Sequence, residues 1–165
     1  MAQPQAGIIP EPNPFAVFLI LRVHERAVNG SAVTKIAAQV PALVKKVSAA
    51  DSRAKLVCNV SFGCEFWDVI SPGKRPVNLR PFRPIEWKGR RAPSTDGDLL
   101  FHIISKRHDL NLELAMRLRN LLGDMVEVMD EVHGFRYLDT RDLTGFIDGT
   151  ENPTRGSGPD RKRGP

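Results

Sequence analysis

The chain has 165 residues, a formal net charge of +5, 41% hydrophobic residues and 26% charged residues. This length and composition suit one globular domain whose core is large enough to fold without disulfide or metal staples. No apolar run reaches the roughly 18 residues that a membrane span requires, and no charged segment followed by an apolar run opens the chain. We therefore expect no membrane partner, no secretory leader and a cytoplasmic location.

The first predicted elements are a strand, a helical region and a second strand. The run Phe15–Val23 is short and almost continuously apolar, which predicts a strand buried on both faces. Asn29-Gly30-Ser31 breaks the chain and offers a helix cap, and apolar residues then recur at helical spacing over residues 33–47. Pro41 lies inside this stripe and should kink the helix or begin a second one. Residues 54–62 alternate in polarity and predict the second strand.

The second half of the chain predicts the same order of elements. Residues 71–97 are rich in Pro and Gly and predict a long loop, and residues 98–105 predict a third strand. Asp109 can cap the next helix and Gly123 can end it. The residues expected on its inner face are Leu110, Leu114, Leu118 and Leu121. With a fourth strand over residues 125–132, the order predicts an α+β fold: a ferredoxin-like βαββαβ antiparallel sheet with both helices on one face.

The cysteines and histidines offer few candidates for metal or redox chemistry. Cys58 alternates with apolar residues on one predicted strand face, so we expect it to be buried as a small hydrophobic residue. No CxxC pair and no Cys/His cluster is present, which argues against a zinc site. The four histidines are His24, His102, His108 and His133. His133 lies nearest to the motif described next.

One segment has the character of a reaction centre: Gly145-Phe146-Ile147-Asp148-Gly149-Thr150-Glu151-Asn152-Pro153. Its two glycines allow the backbone to approach a flat ligand closely, and Asp148 between them can direct a carboxylate at that ligand. Taken in isolation, the same residues are equally consistent with a plain turn, because Asp-Gly is a common turn pair.

This segment resembles the GxxDG signature of dye-decolourising-type haem peroxidases. Residues 3–11, 107–111, 123–128, 131–137 and 141–145 also resemble segments of that family's cytosolic bacterial subgroup, so the resemblance extends from residue 3 to residue 153. It implies a ferredoxin-like N-terminal domain over residues 1–140, one of two such domains in the family, followed by a haem-contact segment over residues 141–153. Residues 154–165 contain no aliphatic or aromatic side chain, and we expect this basic tail to be disordered.

The resemblance also implies a chemistry. The cofactor would be haem b, and Asp148 would be the catalytic acid-base over its iron. The residues expected to contact the haem are Gly145, Ile147, Gly149, Thr150, Glu151 and Asn152. The partners would be hydrogen peroxide, a small organic or dye-type electron donor and further copies of the chain. The family's proximal His and distal Arg would lie beyond this sequence, so no residue here is assigned as a metal ligand. We expect peroxidase activity near background for these 165 residues by themselves.

Two other readings stay open. A basic stretch within residues 71–95 combines seven Lys or Arg side chains with the single acid Glu86, and Phe82 and Trp87 lie among them. Basic patches with exposed aromatic residues can bind nucleic acid, although no RNA-binding strand motif accompanies this one, and a solvated loop is the interpretation we favour. The remaining alternative is a non-catalytic fragment of the peroxidase fold.

Overall fold

The structure, a computed structural model, describes residues 4–8, 11 and 13–147. Strands and helices alternate along the chain, with additional short elements in the middle. In chain order they are β1 (Phe15–Val23), α1 (Arg26–Ala37), α2 (Val40–Ser48), β2 (Val57–Phe62), α3 (Cys64–Ile70), β3 (Ile85–Trp87), β4 (Arg90–Ala92), β5 (Leu99–Ser105), α4 (His108–Leu122) and β6 (Val126–Phe135).

Four of the strands form one antiparallel sheet in the order β2-β5-β1-β6. The central strand β1 pairs on both sides, so that Val17 lies opposite Ile103 of β5 and His133 of β6. This order confirms the predicted ferredoxin-like βαββαβ arrangement. Strands β3 and β4 form a separate two-stranded hairpin.

The core lies between one face of this sheet and helices α1, α2 and α4. Its central side chains are less than 3% exposed: Val17, Leu19, Leu21, Leu99, Phe101, Ile103, Leu114 and Leu118. The predicted bounds of β1 are confirmed, but the expected burial on both faces is wrong. Phe18 and Ile20 are only partly buried, because the helices all cover the opposite side of the sheet.

The helical region after β1 differs from the prediction at its start. Helix α1 begins at Arg26 and runs through Asn29-Gly30-Ser31, so the predicted break there is wrong. Gly30 is buried beside α3, and a Cβ at this position would make ordinary contacts, 3.4 Å from Ile70 and 3.6 Å from Phe66. Pro41 is the second residue of α2, as the alternative of a second helix predicted. Backbone N–H groups in the first turn of a helix have no partner within the helix, so proline costs no hydrogen bond there.

Helix α4 follows the predicted pattern except at its two ends. Arg107 is the capping residue and Asp109 lies within the first turn, so the predicted Asp109 cap is wrong. Leu121 is 45% exposed, and Leu122 faces the core in its place, four residues after Leu118 on the same helix face. The predicted stop is confirmed, since Gly123 ends the helix with a positive φ of 52°.

Three elements were not predicted: α3, β3 and β4. Helix α3 follows β2 directly, and the β3–β4 hairpin lies within the predicted loop of residues 71–97. Among the residues that the structure describes, no helix is both long and apolar enough to cross a bilayer. Five of the predicted site residues lie outside the described residues: Asp148, Gly149, Thr150, Glu151 and Asn152. The predicted tail over residues 154–165 also lies outside them, and the domain boundaries proposed from the sequence remain predictions.

Candidate functional site

The described part of the GxxDG segment belongs to a loop over residues 137–147, here called the signature loop. It leaves the sheet where Phe135 of β6 pairs with Phe15 of β1, and the next N–H, of Arg136, donates to the Pro14 carbonyl at 2.7 Å. Isolated antiparallel bridges join Tyr137 to Arg141 and Arg141 to Ile147. Ile147, the last described residue before Asp148, is therefore tied back to the middle of the loop.

Arg141 connects the two arms of the signature loop. Its Nε and Nη2 donate to the two carboxylate oxygens of Asp139 at 2.7 and 3.1 Å. Its Nη1 donates to the Gly145 carbonyl at 2.8 Å. A bidentate guanidinium–carboxylate pair fixes direction as well as distance. Arg141 thereby holds Gly145 in place through a side chain that is itself held by Asp139.

Asp142 shapes the turn that carries Gly145. Its Oδ1 accepts hydrogen bonds from the Thr144 hydroxyl at 2.5 Å, the Thr144 N–H at 2.8 Å and the Phe146 N–H at 3.3 Å. The Thr144 hydroxyl is the main reason why the pKa of the Asp142 carboxyl lies below its usual value, and the backbone N–H groups add to it. Asp142 is therefore an ionised structural carboxylate that holds the turn together through its Oδ1.

Gly145 and its neighbours form an open surface that fits one wall of a haem pocket. Gly145 has φ +94°, a conformation that L side chains rarely adopt, and an added Cβ would meet nothing within 4 Å. Phe146 is 75% exposed and Ile147 is 54% exposed. An uncrowded backbone beside exposed apolar side chains suits the face or edge of a flat, largely apolar macrocycle. No residue of the described loop offers an imidazole or thiolate to an iron ion.

The histidines are placed differently from one another. His102 of β5 stacks on Phe18 at a centroid distance of 4.3 Å, and partial burial lowers its pKa. His24 lies in the exposed connection between β1 and α1. Over residues 4–8, 11 and 13–147, no group of three or more His, Cys, Asp or Glu side chains is placed to hold a metal ion.

The structure brings His108 and His133 together, a contact that the sequence analysis missed. His108 Nε2 lies 2.8 Å from His133 Nδ1, and His133 Nε2 lies 2.6 Å from Glu131 Oε1. The Glu131-x-His133 spacing on a strand could have indicated the second contact, because residues two apart share a face. Nothing local could have indicated the first, since 25 residues separate the two histidines.

The cysteines agree with the structural role expected of them. Cys58 is 8% exposed, and burial raises the pKa of its thiol to about 12. It therefore stays protonated at physiological pH and is a poor nucleophile. Cys64 is the first residue of α3, and both cysteines are free thiols.

The basic stretch forms an exposed arm around the β3–β4 hairpin. Trp87 is 63% exposed and Phe82 is 53% exposed, and neither lies on the four-stranded sheet. The Lys88 ammonium lies 4.5 Å above the Trp87 ring centroid, and Arg91 pairs with Glu86 at 3.5 Å. The aromatic side chains thus belong to the arm, whereas RNA-binding sheets place theirs on central strands.

Comparison with known proteins agrees with the fold and with the resemblance. The family model described as "Dyp-type peroxidase, N-terminal" matches residues 5–136. A dye-decolorizing peroxidase of Brevibacterium linens is 45% identical over 148 residues, which make up 88% of this chain and 39% of that protein. A dye-decolorizing peroxidase of Mycobacterium tuberculosis is 42% identical over 142 residues, 86% of this chain and 42% of that protein.

The similarity extends to solved structures. A variant of DypB from Rhodococcus jostii, solved in complex with heme, superposes with a TM-score of 0.86 at 40% identity. The match covers 90% of this chain and 48% of that one. The chain thus spans about 40% of the length of the curated relatives it matches and about half of the solved one.

Proposed function

Because the chain belongs to the Dyp-type peroxidase family, we propose that the protein takes part in haem-dependent reduction of hydrogen peroxide, coupled to oxidation of a small organic or dye-type donor. The observation that carries the proposal is the family match over residues 5–136, which leads directly into a hydrogen-bonded signature loop with exposed apolar side chains. In this proposal, residues 1–140 form the ferredoxin-like domain and residues 141–153 form the haem-contact segment.

Haem, when bound, supplies the iron at which peroxide binds and is reduced. Gly145 and Ile147 would contact the macrocycle through the open surface described above, and Gly149, Thr150, Glu151 and Asn152 would extend that contact. Arg141 would act through Gly145, because its hydrogen bond to the Gly145 carbonyl at 2.8 Å holds the backbone that would face the haem. Haem b is the form of the cofactor that we propose.

Asp148 would be the catalytic residue. Its carboxylate would move a proton from one oxygen of hydrogen peroxide to the other, and haem would supply the two electrons with which the O–O bond breaks and the protonated oxygen leaves as water. Proton transfer by a positioned side chain contributes about 10²- to 10⁴-fold to a rate. We assign Asp142 a structural role instead, because its Oδ1 accepts hydrogen bonds from Thr144 and Phe146 and so shapes the turn before Asp148.

We also propose that copies of the chain associate. Strand β6 is an edge of the sheet and exposes Val132 to 46% and Phe135 to 68%. An unpaired edge strand with exposed apolar side chains favours association. Sedimentation of the purified chain would measure its oligomeric state, and a monomer at all concentrations would refute this part of the proposal.

Haem binding and peroxide chemistry can be tested on the chain directly. Haemin is titrated into the protein while the Soret band is followed, and peroxide-dependent oxidation of a phenol or dye is then measured with imidazole added as an exogenous iron ligand. We expect a saturable Soret shift, oxidation near background without imidazole, and an imidazole-dependent rate that falls by about 100-fold in Asp148→Asn. Asp130→Asn, on exposed strand β6, is the matched control and should keep the wild-type rate.

Either of two results would contradict the proposal. A titration indistinguishable from that of free haemin would show that the chain does not bind haem. Equal rates of peroxide-dependent oxidation in the wild type, Asp148→Asn and Asp130→Asn would show that Asp148 is not the acid-base.

A further inference from the structure

The strongest unassigned cluster joins the start of α4 to strand β6. His108 is the first residue of α4, and His133 and Glu131 lie on the same face of β6. The rings of His108 and His133 have centroids 4.9 Å apart and are inclined by 37°. The side chains of His133 and Glu131 are 36% and 43% exposed, so a solvated ion can reach them. Neither histidine has a part in the proposed peroxide chemistry.

The hydrogen-bonding pattern leaves ring nitrogens available as ligands. In a neutral imidazole one nitrogen donates and the other accepts. When neutral His133 donates its Nε2–H to the Glu131 carboxylate, across the contact of 2.6 Å, its Nδ1 presents a lone pair. That lone pair faces His108 Nε2 at 2.8 Å. In the other neutral tautomer of His108, the proton lies on Nδ1 rather than on Nε2. The lone pairs of His108 Nε2 and His133 Nδ1 then face the same small space.

We propose that His108 and His133 together bind one divalent transition-metal ion, with Glu131 orienting His133. Metal–imidazole bonds of about 2.05 Å place two ligand nitrogens about 2.9 Å apart at a right angle and about 3.3 Å apart at a tetrahedral angle. The observed separation of 2.8 Å is close to the first value. The rings therefore need to tilt toward a shared ion but do not need to move apart.

Glu131 is the second observation that favours a metal. Histidines that ligate metals almost always donate their other ring N–H to a carboxylate, a carbonyl or water, which fixes the tautomer and makes the ligand more basic. The Glu131 Oε1 contact with His133 Nε2 reproduces this arrangement. Glu131 thus holds the free lone pair of His133 toward His108.

The electrostatic balance permits a cation at this position. The N-terminus of α4 carries roughly half a positive charge and opposes a cation. The Glu131 carboxylate is in contact with the cluster, and the Asp109 carboxylate lies in the same helical turn as His108, although Arg107 pairs with Asp109. Two imidazole ligands with water completing the shell favour Cu²⁺ above Ni²⁺ and Zn²⁺, in agreement with the general affinity order.

The experiment is a Cu²⁺ titration of the purified chain after removal of adventitious metal, followed by calorimetry and by electron paramagnetic resonance. We expect one ion per chain with nitrogen hyperfine structure from two imidazoles. His108→Gln and His133→Gln should each abolish this stoichiometric site, and Glu131→Gln should weaken affinity by about tenfold. His24→Gln and His102→Gln are the matched controls and should bind like the wild type.

Three results would overturn the proposal: no saturable binding, stoichiometric binding that persists in His108→Gln or His133→Gln, or an equal loss in His24→Gln. His108→Gln and His133→Gln lie on different elements, so the test does not depend on one variant folding correctly; circular dichroism checks each. The titration uses neither haemin nor peroxide, so its outcome is independent of the proposed peroxidase function.

Discussion

Arg26 and Asp98 form an ion pair of 3.0 Å in which the acid is almost entirely buried and the base is one-third exposed. The same Asp98 Oδ2 accepts the backbone N–H of Val23 at 2.8 Å. One carboxylate oxygen thus joins the end of β1, the start of α1 and the residue that precedes β5. Arg26 also reaches Glu65 of α3 at 3.0 Å. The contacts of Arg26 and Asp98 therefore position β1, α1 and α3 around the buried carboxylate of Asp98.

The first prediction concerns this buried carboxylate. Asp98→Ala removes the acceptor of two donors, and a buried N–H without a partner is costly. We expect the free energy of unfolding to fall by about 3 kcal/mol, measured by urea denaturation. Asp96→Ala is the matched control: Asp96 is 74% exposed and pairs with Arg22, so its loss should change stability by less than about 1 kcal/mol. Equal effects of the two substitutions would contradict the assigned role of Asp98.

The second prediction concerns a close backbone approach at Gly63, which precedes α3. A Cβ at this position would lie 2.2 Å from the Gly97 carbonyl oxygen, a backbone atom that cannot rotate away. Gly63→Ala should therefore destabilise the chain by about 3 kcal/mol, at the upper end of overpacking effects, in the same denaturation assay. Gly134→Ala places its Cβ 3.6 Å from Ala16, an ordinary contact, and should be far milder. If Gly63→Ala were as stable as the wild type, the backbone at Gly63 could not lie so close to the Gly97 carbonyl oxygen.

The third prediction concerns the pH dependence contributed by Cys58. Burial raises the pKa of this thiol from 9.0 to about 12, so the folded state keeps a proton that the unfolded state loses. Its contribution to stability is present below pH 9.0 and is lost as pH rises toward 12, at up to about 1.4 kcal/mol per pH unit.

The measurement for Cys58 is the slope of unfolding free energy against pH between about 9 and 10.5. The wild type should lose stability more steeply than Cys58→Ala, whereas Cys64→Ala should follow the wild type. Parallel slopes in all three proteins would mean that Cys58 is not shielded from solvent.

The fourth prediction concerns His102, whose neighbours across the sheet are the uncharged Phe18 and Asn59. Partial burial lowers its pKa, so the folded state resists protonation more than the unfolded state. The stability that neutral His102 contributes is fully present above its pKa of about 6.5 in the unfolded state. It is lost as pH falls through the lower pKa of His102 in the folded state. The wild type should therefore lose more stability between about pH 7 and 5 than His102→Gln. An unchanged acid slope in His102→Gln would rule out this contribution, and His24→Gln serves as the exposed control.

Much of the fold could be predicted because its signals are local. Short apolar runs and alternation of apolar residues predicted all four strands of the main sheet, and Leu110, Leu114 and Leu118 repeat at the spacing of one helix face. The errors lie where a distant contact overrides a local preference. Gly30 continues α1 rather than breaking it, and it lies on the buried side of that helix, beside Phe66 and Ile70 of α3. Phe18 is half-buried rather than buried because the helices cover only the other face of its strand.

By itself, the sequence determined the order of the main strands and helices, the ferredoxin-like topology and the family resemblance from which the role of Asp148 is proposed, since each of these depends on residues close together in the chain. Only the tertiary structure decided which side of the sheet is buried and which side chains outside the signature form clusters. Asp98 is 72 residues from Arg26, and His108 is 25 residues from His133. Such pairs form because strand pairing and helix packing bring their backbones together, and no local pattern of residues encodes that meeting.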